Sequence, residues 1–230
     1  MDYFAHFIEE DFDFIQSIFG MNAKFIPFQY GGLASYLESP DRENHLFDKN
    51  NLLVGNSADP SNNHIELIDE LKKIGLSDCK MYALMAYAGG NDYVEKIREY
   101  GRTNLGDQFN VISDFVPLNE HYKLIETCAI VLFGHLRSQG TGNLIPCMAN
   151  GSKAYMYKSS SLYQFFIQKR IEVYSIEDDF SLEHIAIPLS QEEKTNNLDT
   201  LRKWFGSRTI STSYENLLNL SSFPLENNVE

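Results

Sequence analysis

The chain is 230 residues long, with 43% hydrophobic and 22% charged residues, the mix of an ordinary globular protein with a full core. Its formal net charge of −13 argues against nucleic acid and anionic lipid as partners, so a phosphate ligand must be held locally by backbone N–H groups, helix N-termini and a few cations. No apolar run approaches the ~20 residues of a membrane helix, and the segment from Met1 to Asp13 is acidic where a secretory signal is basic.

Hydrophobic periodicity alternates between short β-rich runs and longer runs of period 3.6. In chain order it predicts a helix over Glu10–Phe19 and a strand over Lys24–Phe28. From Gln29 to Asn50 the chain turns polar around Gly31-Gly32 and Pro40 and reads as a linker. A strand over Asn51–Asn56 and a helix over Asn62–Ile74 follow, then a strand at Cys79–Met85 and a helix at Asp92–Tyr100. Strand Phe109–Phe115 precedes helix Leu118–Cys128, and strand Ile130–Phe133 precedes helix Asn143–Ala149. Strand Ala154–Tyr157, helix Leu162–Gln168 and strand Val173–Ser175 complete the pattern. From Asp199 onward the tail reads as one or two helices, with Trp204 and Phe205 docking on the domain. Strands alternating with helices imply βαβ units and a Rossmann-like α/β fold, a parallel sheet with helices on both faces and a helical tail. The expected division is a helix–strand fragment over 1–30, a linker over 31–50, the main domain over 51–190 and C-terminal helices over 191–230. Cys79, Cys128 and Cys147 lie in apolar stretches without metal-ligand spacing, which reads as buried thiols in a reducing, cytoplasmic compartment.

Three turns after strands carry the chemistry. The run Val54-Gly55-Asn56-Ser57-Ala58-Asp59-Pro60-Ser61-Asn62-Asn63-His64 ends a buried strand and opens a helix, with Asp59 or Ser61 as cap and Pro60 early in the helix. Free N–H groups at such a helix start favour an anion, and the carboxyl ends of strands in open α/β sheets are where ligands bind. A tight turn with a plain N-cap explains the same residues about equally well. Next, Phe133-Gly134-His135-Leu136-Arg137-Ser138-Gln139-Gly140-Thr141-Gly142-Asn143 again joins a strand to a helix. Gly140 and Gly142 permit close backbone approach, and Arg137 is a fork-shaped cation suited to phosphate. Ile145 stands where a dinucleotide fingerprint wants its third glycine. The third turn, Tyr87-Ala88-Gly89-Gly90-Asn91-Asp92, offers Gly89-Gly90 for close approach, although a capped turn accounts for it.

Other features weigh less. Asp11-x-Asp13 imitates a metal-binding DxD but lies in a helical stretch, where a solvated face is the simpler reading. His6, His45, His121 and His184 have no partners at ligand spacing. Asp59 stands where a nucleophile elbow around Ser57 needs glycine, and no P-loop motif is present.

The Val54–His64 run resembles the VGNSgDrSNeH signature of the bacterial TDP-N-acetylfucosamine:lipid II N-acetylfucosaminyltransferases, glycosyltransferase family 56. Arg137-Ser138-Gln139-Gly140-Thr141-Gly142 is similar to that family's RQQGIG, and Tyr93–Ile97 with Gly101 to its YIEEVRQAG helix. Order and spacing agree from roughly Asp11 to about Asp179. The resemblance implies the donor-binding half of a two-domain GT-B enzyme, with residues 1–30 as the end of an acceptor domain that lies upstream of this sequence. It implies a nucleotide-diphosphate sugar, TDP-linked by preference, and a lipid-linked saccharide acceptor used in bacterial surface polysaccharide synthesis. A cytoplasmic protein, peripheral at the inner face of the membrane, would suit that role, with no metal cofactor and no nucleic-acid partner.

By the same resemblance Gly55, Asn56, Ser57 and Asp59 line the donor pocket, with Tyr87 and Asn143 beside it. Ser61 and Asn62 offer amides to the diphosphate, Arg137 and Gln139 reach phosphate or sugar, and Gly140 and Gly142 bring the helix start to the pyrophosphate. Ala58 and Pro60 replace the motif's Gly and Arg, and Ile145-Pro146-Cys147-Met148 lacks the ribose-binding Glu of many GT-B enzymes. No catalytic base is identifiable among these residues. GT-B enzymes often supply it from the N-terminal half, and His64, one turn into a helix, is better placed to orient the loop than to move a proton. A non-catalytic interaction module, docking through Tyr3, Phe4, Phe7, Phe12 and Phe14, is the alternative, and a nucleotide-sugar epimerase a weaker third.

Overall fold

The structure, a computed structural model, describes residues 3–39 and 50–221. Pro40 and His45, and the polar run between them, lie outside the described residues. The chain opens with a small unit: β1 (Tyr3–His6), α1 (Glu9–Phe19) and β2 (Lys24–Pro27), the two strands pairing in parallel as a sheet of their own. Two strands are not stable alone. Phe12 of α1 packs between Phe4 and Phe25 to cover this pair. Strand β1 is absent from the sequence reading, because a four-residue strand of half-exposed residues carries little periodic signal.

After α2 (Ala34–Leu37) comes the main sheet of β3 (Asn51–Val54), β4 (Met81–Leu84), β5 (Phe109–Ile112), β6 (Cys128–Phe133), β7 (Lys153–Met156) and β8 (Tyr174–Ser175). All six are parallel, in the order β5-β4-β3-β6-β7-β8. The intervening helices are α3 (His64–Ile74), α4 (Asn91–Leu105), α5 (Leu118–Glu126), α6 (Thr141–Ala149) and α7 (Ser161–Gln168). The tail holds α8 (Leu182–Ala186), α9 (Gln191–Phe205) and α10 (Ser207–Ser221).

Side chains of a strand alternate between faces, and here the alternation splits the core. Leu52, Val54 and Leu132 join Leu67, Ile68 and Leu71 of α3 and Val94 and Ile97 of α4 on one face. Leu53, Val131 and Phe133 join α5, α6, α7 and Leu201 and Phe205 of α9 on the other. The expected helices on both faces are present, and Phe205 docks as expected, with Trp204 half-buried against the same cluster.

Boundaries shift where a turn needs special backbone. Strand β3 stops at Val54, two residues short of the expected end, because Gly55 turns at φ 64°. A 3-10 turn, Pro60–Asn62, and then Asn63 at φ 55° delay α3 to His64. Helix α9 starts well before Asp199, on a capping box in which Ser190 and Glu193 satisfy each other's backbone N–H. Cys128 and Cys147 are buried as expected, whereas Cys79 is half-buried.

Candidate functional site

In this strand order the connections reverse direction between β3 and β6, and a doubly wound sheet binds its ligand in the crevice outside the strands' carboxyl ends at that point. The first two turns singled out above leave these two strands. The sequence thereby places its polar loops on both lips of one crevice.

The lips touch. Arg137 Nη2 meets Asp59 Oδ2 at 3.1 Å, and Gln139 Nε2 donates to Ser61 Oγ at 3.2 Å. Asn143 Nδ2 reaches the Asn56 carbonyl at 3.5 Å. The third turn joins them, since Asn56 Nδ2 donates to Tyr87 Oη at 3.1 Å and the Ala58 amide donates to the Tyr87 carbonyl. Gly140 permits the approach: at φ 75° a Cβ there would lie 2.8 Å from the Phe133 ring and 2.9 Å from Asn56 Cγ. Gly55 does the same for the first loop, where a Cβ would meet His64 Nε2 at 2.6 Å.

The expected site residues therefore divide by role. Asn56, Tyr87, Arg137, Gln139, Gly140, Gly142 and Asn143 cluster at the crevice, and Asn56 Oδ1 is buried with no hydrogen-bond partner. Ser57 and Asn62 turn inward instead: Asn62 Nδ2 donates to Ser57 Oγ at 3.1 Å, and Asn62 Oδ1 accepts the Asn56 amide at 3.0 Å. The Ser61 and Asn62 amides, expected to face a diphosphate, are occupied by Asp59 Oδ1 and the Asp59 carbonyl. Uncapped amides belong to α6, which starts at Thr141 after Gly140 with no side chain capping it. The Asp59 carboxyl is held below its ordinary range, first by Ser61's hydrogen bonds and then by the Arg137 guanidinium.

Two buried histidines frame the loops. His64 sits against Tyr93 Oη at 3.1 Å, and His135 Nδ1 lies 3.0 Å from the Arg137 carbonyl. Burial pushes both rings down to about 4 from 6.5, opposed at His135 by its contact with the Arg137 carbonyl. An imidazole whose pKa is lower folded than unfolded takes its proton more readily in the unfolded chain. Stability is therefore intact above about 6.5 and falls as the pH drops from there toward 4. At pH 5 each ring is expected to remove ~2 kcal/mol relative to pH 7. Urea unfolding at the two values measures this, and an unchanged midpoint contradicts it.

Partners invisible along the sequence also emerge. His121 Nε2 contacts Asn143 Oδ1 at 2.7 Å. A cavity of about 300 Å³ opens beside it, between the α6 start, Leu118 and Tyr122 of α5, and Tyr30 to Leu33 ahead of α2. His184 pairs with Tyr155 Oη at 2.8 Å, a contact away from the crevice loops. Among the described residues no cluster of His, Cys, Asp and Glu forms a metal-binding group, and no helix is long and apolar enough to cross a membrane.

A parallel six-stranded sheet with flanking helices and its polar loops at the point of reversal is a doubly wound α/β fold, the type found in GT-B glycosyltransferases. The solved structures agree. A glycosyltransferase from Rickettsia africae ESF-5 superposes with a TM-score of 0.69 at 7% identity, covering 97% of this chain and 64% of that one. WaaG, a glycosyltransferase involved in lipopolysaccharide biosynthesis, gives 0.61 at 12% identity over 96% of this chain and 62% of that one. AviGT4, a glycosyltransferase involved in avilamycin A biosynthesis, gives 0.59 at 15% identity over 90% of this chain and 60% of that one. The chain thus spans less than two thirds of these structures. Across residues 16–222 it matches the family described as 4-alpha-L-fucosyltransferase, glycosyl transferase group 56, and it belongs to that family.

Proposed function

We propose that the crevice between β3 and β6 holds the donor of a glycosyl transfer, a nucleotide-diphosphate sugar. The observation that carries this reading is the uncapped start of α6 at the point of reversal, flanked by Arg137 and by the buried, unpartnered Asn56 Oδ1. A helix start supplies N–H donors and a positive dipole end to a phosphate, and Arg137 adds a charge-assisted contact. The adjoining cavity, lined by His121, Leu118 and Tyr30, is large enough for a nucleoside. These fixed donors stabilise the diphosphate as it leaves with its new charge, which serves a metal-independent transfer.

The Val54–His64 motif favours a TDP-linked N-acetylfucosamine-like sugar. The same family resemblance favours a lipid-linked saccharide as acceptor, met at the inner face of the membrane with groups from an N-terminal half of the GT-B type. The alternative interaction module draws on exposed side chains of α1, but the surface differs from the one expected. Phe7 and Phe12 are packed and Phe4 is half-buried, whereas Tyr3 and Phe14 are exposed as expected and are joined by Ile18 and Phe19.

Calorimetric titration with dTDP, UDP and GDP tests the proposal. Selective binding of one nucleoside diphosphate, lost in Asn56→Ala, is the expected result. No binding by any of them would favour the interaction module.

A further inference from the structure

We propose that His6 and Asp11 are positioning residues that clamp the phosphate loop 134–140 through Ser138, so that the small β1–α1 unit sets the geometry of the donor site. Sequence position hides this contact, since Ser138 lies 127 residues from Asp11 and 132 from His6. In the fold the three side chains converge. Ser138 Oγ donates a short hydrogen bond to Asp11 Oδ2 and lies 3.3 Å from His6 Nε2.

The direction of each bond follows from the available protons. A carboxylate only accepts, so the Ser138 proton is committed to Asp11. Ser138 Oγ can then only accept from His6, which requires a proton on Nε2. His6 Nδ1 lies against the backbone of Ile8, 3.1 Å from its amide nitrogen and 3.2 Å from its carbonyl oxygen, and 3.9 Å from Asp11 Oδ2. His6, Ser138 and Asp11 thus form one cluster, held on the His6 side by the Ile8 backbone in the small unit. Asp11 stands in the first turn of α1, where the helix dipole favours negative charge and the charged acceptor makes the stronger bond. Asp11 and His6 are partly buried, at 19% and 26% side-chain exposure, so the bonds are only partly open to competition from water.

Arg137 and Gln139 flank Ser138 in the chain, and both reach across the crevice to the other loop. Fixing Ser138 therefore limits where both can point. The clamp acts on the ligand through the loop rather than by touching it. It also ties the occupancy of the loop to the small unit, because a ligand that shifts Ser138 must draw on the same hydrogen bonds.

Two measurements on the whole chain separate this clamp from the donor-site proposal, on which only the second rests. The first is hydrogen exchange without ligand. Asp11→Ala and Ser138→Ala are each expected to speed exchange of the Gly134–Gly140 amides about tenfold, with α3 and α9 unchanged. Unaltered loop exchange in both folded variants overturns the clamp. The second is dTDP titration. Each single variant is expected to bind about tenfold more weakly, as for one lost charge-assisted hydrogen bond, and the double variant no more weakly than either. Ser138→Thr, which keeps the hydroxyl, is expected to restore binding. Losses that multiply in the double variant overturn the coupling. If the unaltered chain fails to bind dTDP, the proposed donor falls while the exchange result still decides the clamp.

Discussion

Gly140→Val is expected to abolish nucleotide binding and to lower stability by ~2–5 kcal/mol, through two effects of comparable size. At φ 75° an L side chain is strained by ~1–2 kcal/mol. The added Cβ would also stand 2.8 Å from the Phe133 ring and 2.9 Å from Asn56 Cγ, overpacking that costs ~1–3 kcal/mol. Relief requires moving the α6 start away from Asn56, which separates the two lips of the crevice. Gly142→Ala is the control for stability, because Gly142 has no positive φ and its Cβ would meet nothing within 4 Å. Thermal melts of both variants, followed by dTDP titration, check the prediction. Equal melting of the two, or retained affinity in Gly140→Val, would contradict it.

Arg137→Ala is expected to weaken nucleoside diphosphate binding by ~1.5–3 kcal/mol, the worth of a charge-assisted contact. The unliganded site gives this prediction a second arm. Arg137 is paired with Asp59, yet its side chain is 62% exposed, and such a pair is worth only ~0–1 kcal/mol. A diphosphate at the proposed site by α6 is expected to outcompete that carboxylate, so that Arg137 changes partners on binding. Asp59→Asn should therefore tighten binding a few-fold, by removing a competing negative charge while an amide oxygen still caps Ser61. Opposite signs for the two variants in calorimetry support the exchange of partners. Arg137→Ala with unchanged affinity would remove Arg137 from the site.

The main sheet was legible because buried parallel strands such as Leu52–Val54 and Ile130–Phe133 are continuous apolar runs bounded by turns. The same logic found the crevice loops, which follow strands and contain glycines. What escaped depended on distant partners. Along the sequence Asp11 falls on a solvated helix face, and only the fold brings Ser138 to it. His6 and His121 looked unpartnered for the same reason. Residue type does not say whether a polar side chain turns toward a ligand or into its own loop, and in the fold Asn62 is bonded to Ser57. The start of α9 is a different case: Ser190 and Glu193 spell a capping box in the sequence itself.

The stretch that joins the small sheet to the large one, Phe28 and Gln29 beyond β2, is gripped from the far end of the chain: Tyr214 of α10 packs edge-on against Phe28, and the Gln29 amide donates to Ser213 Oγ at 3.1 Å. The last helix thus acts as a splint for a joint 184 residues earlier, so that damage at one end of the chain is felt near the other.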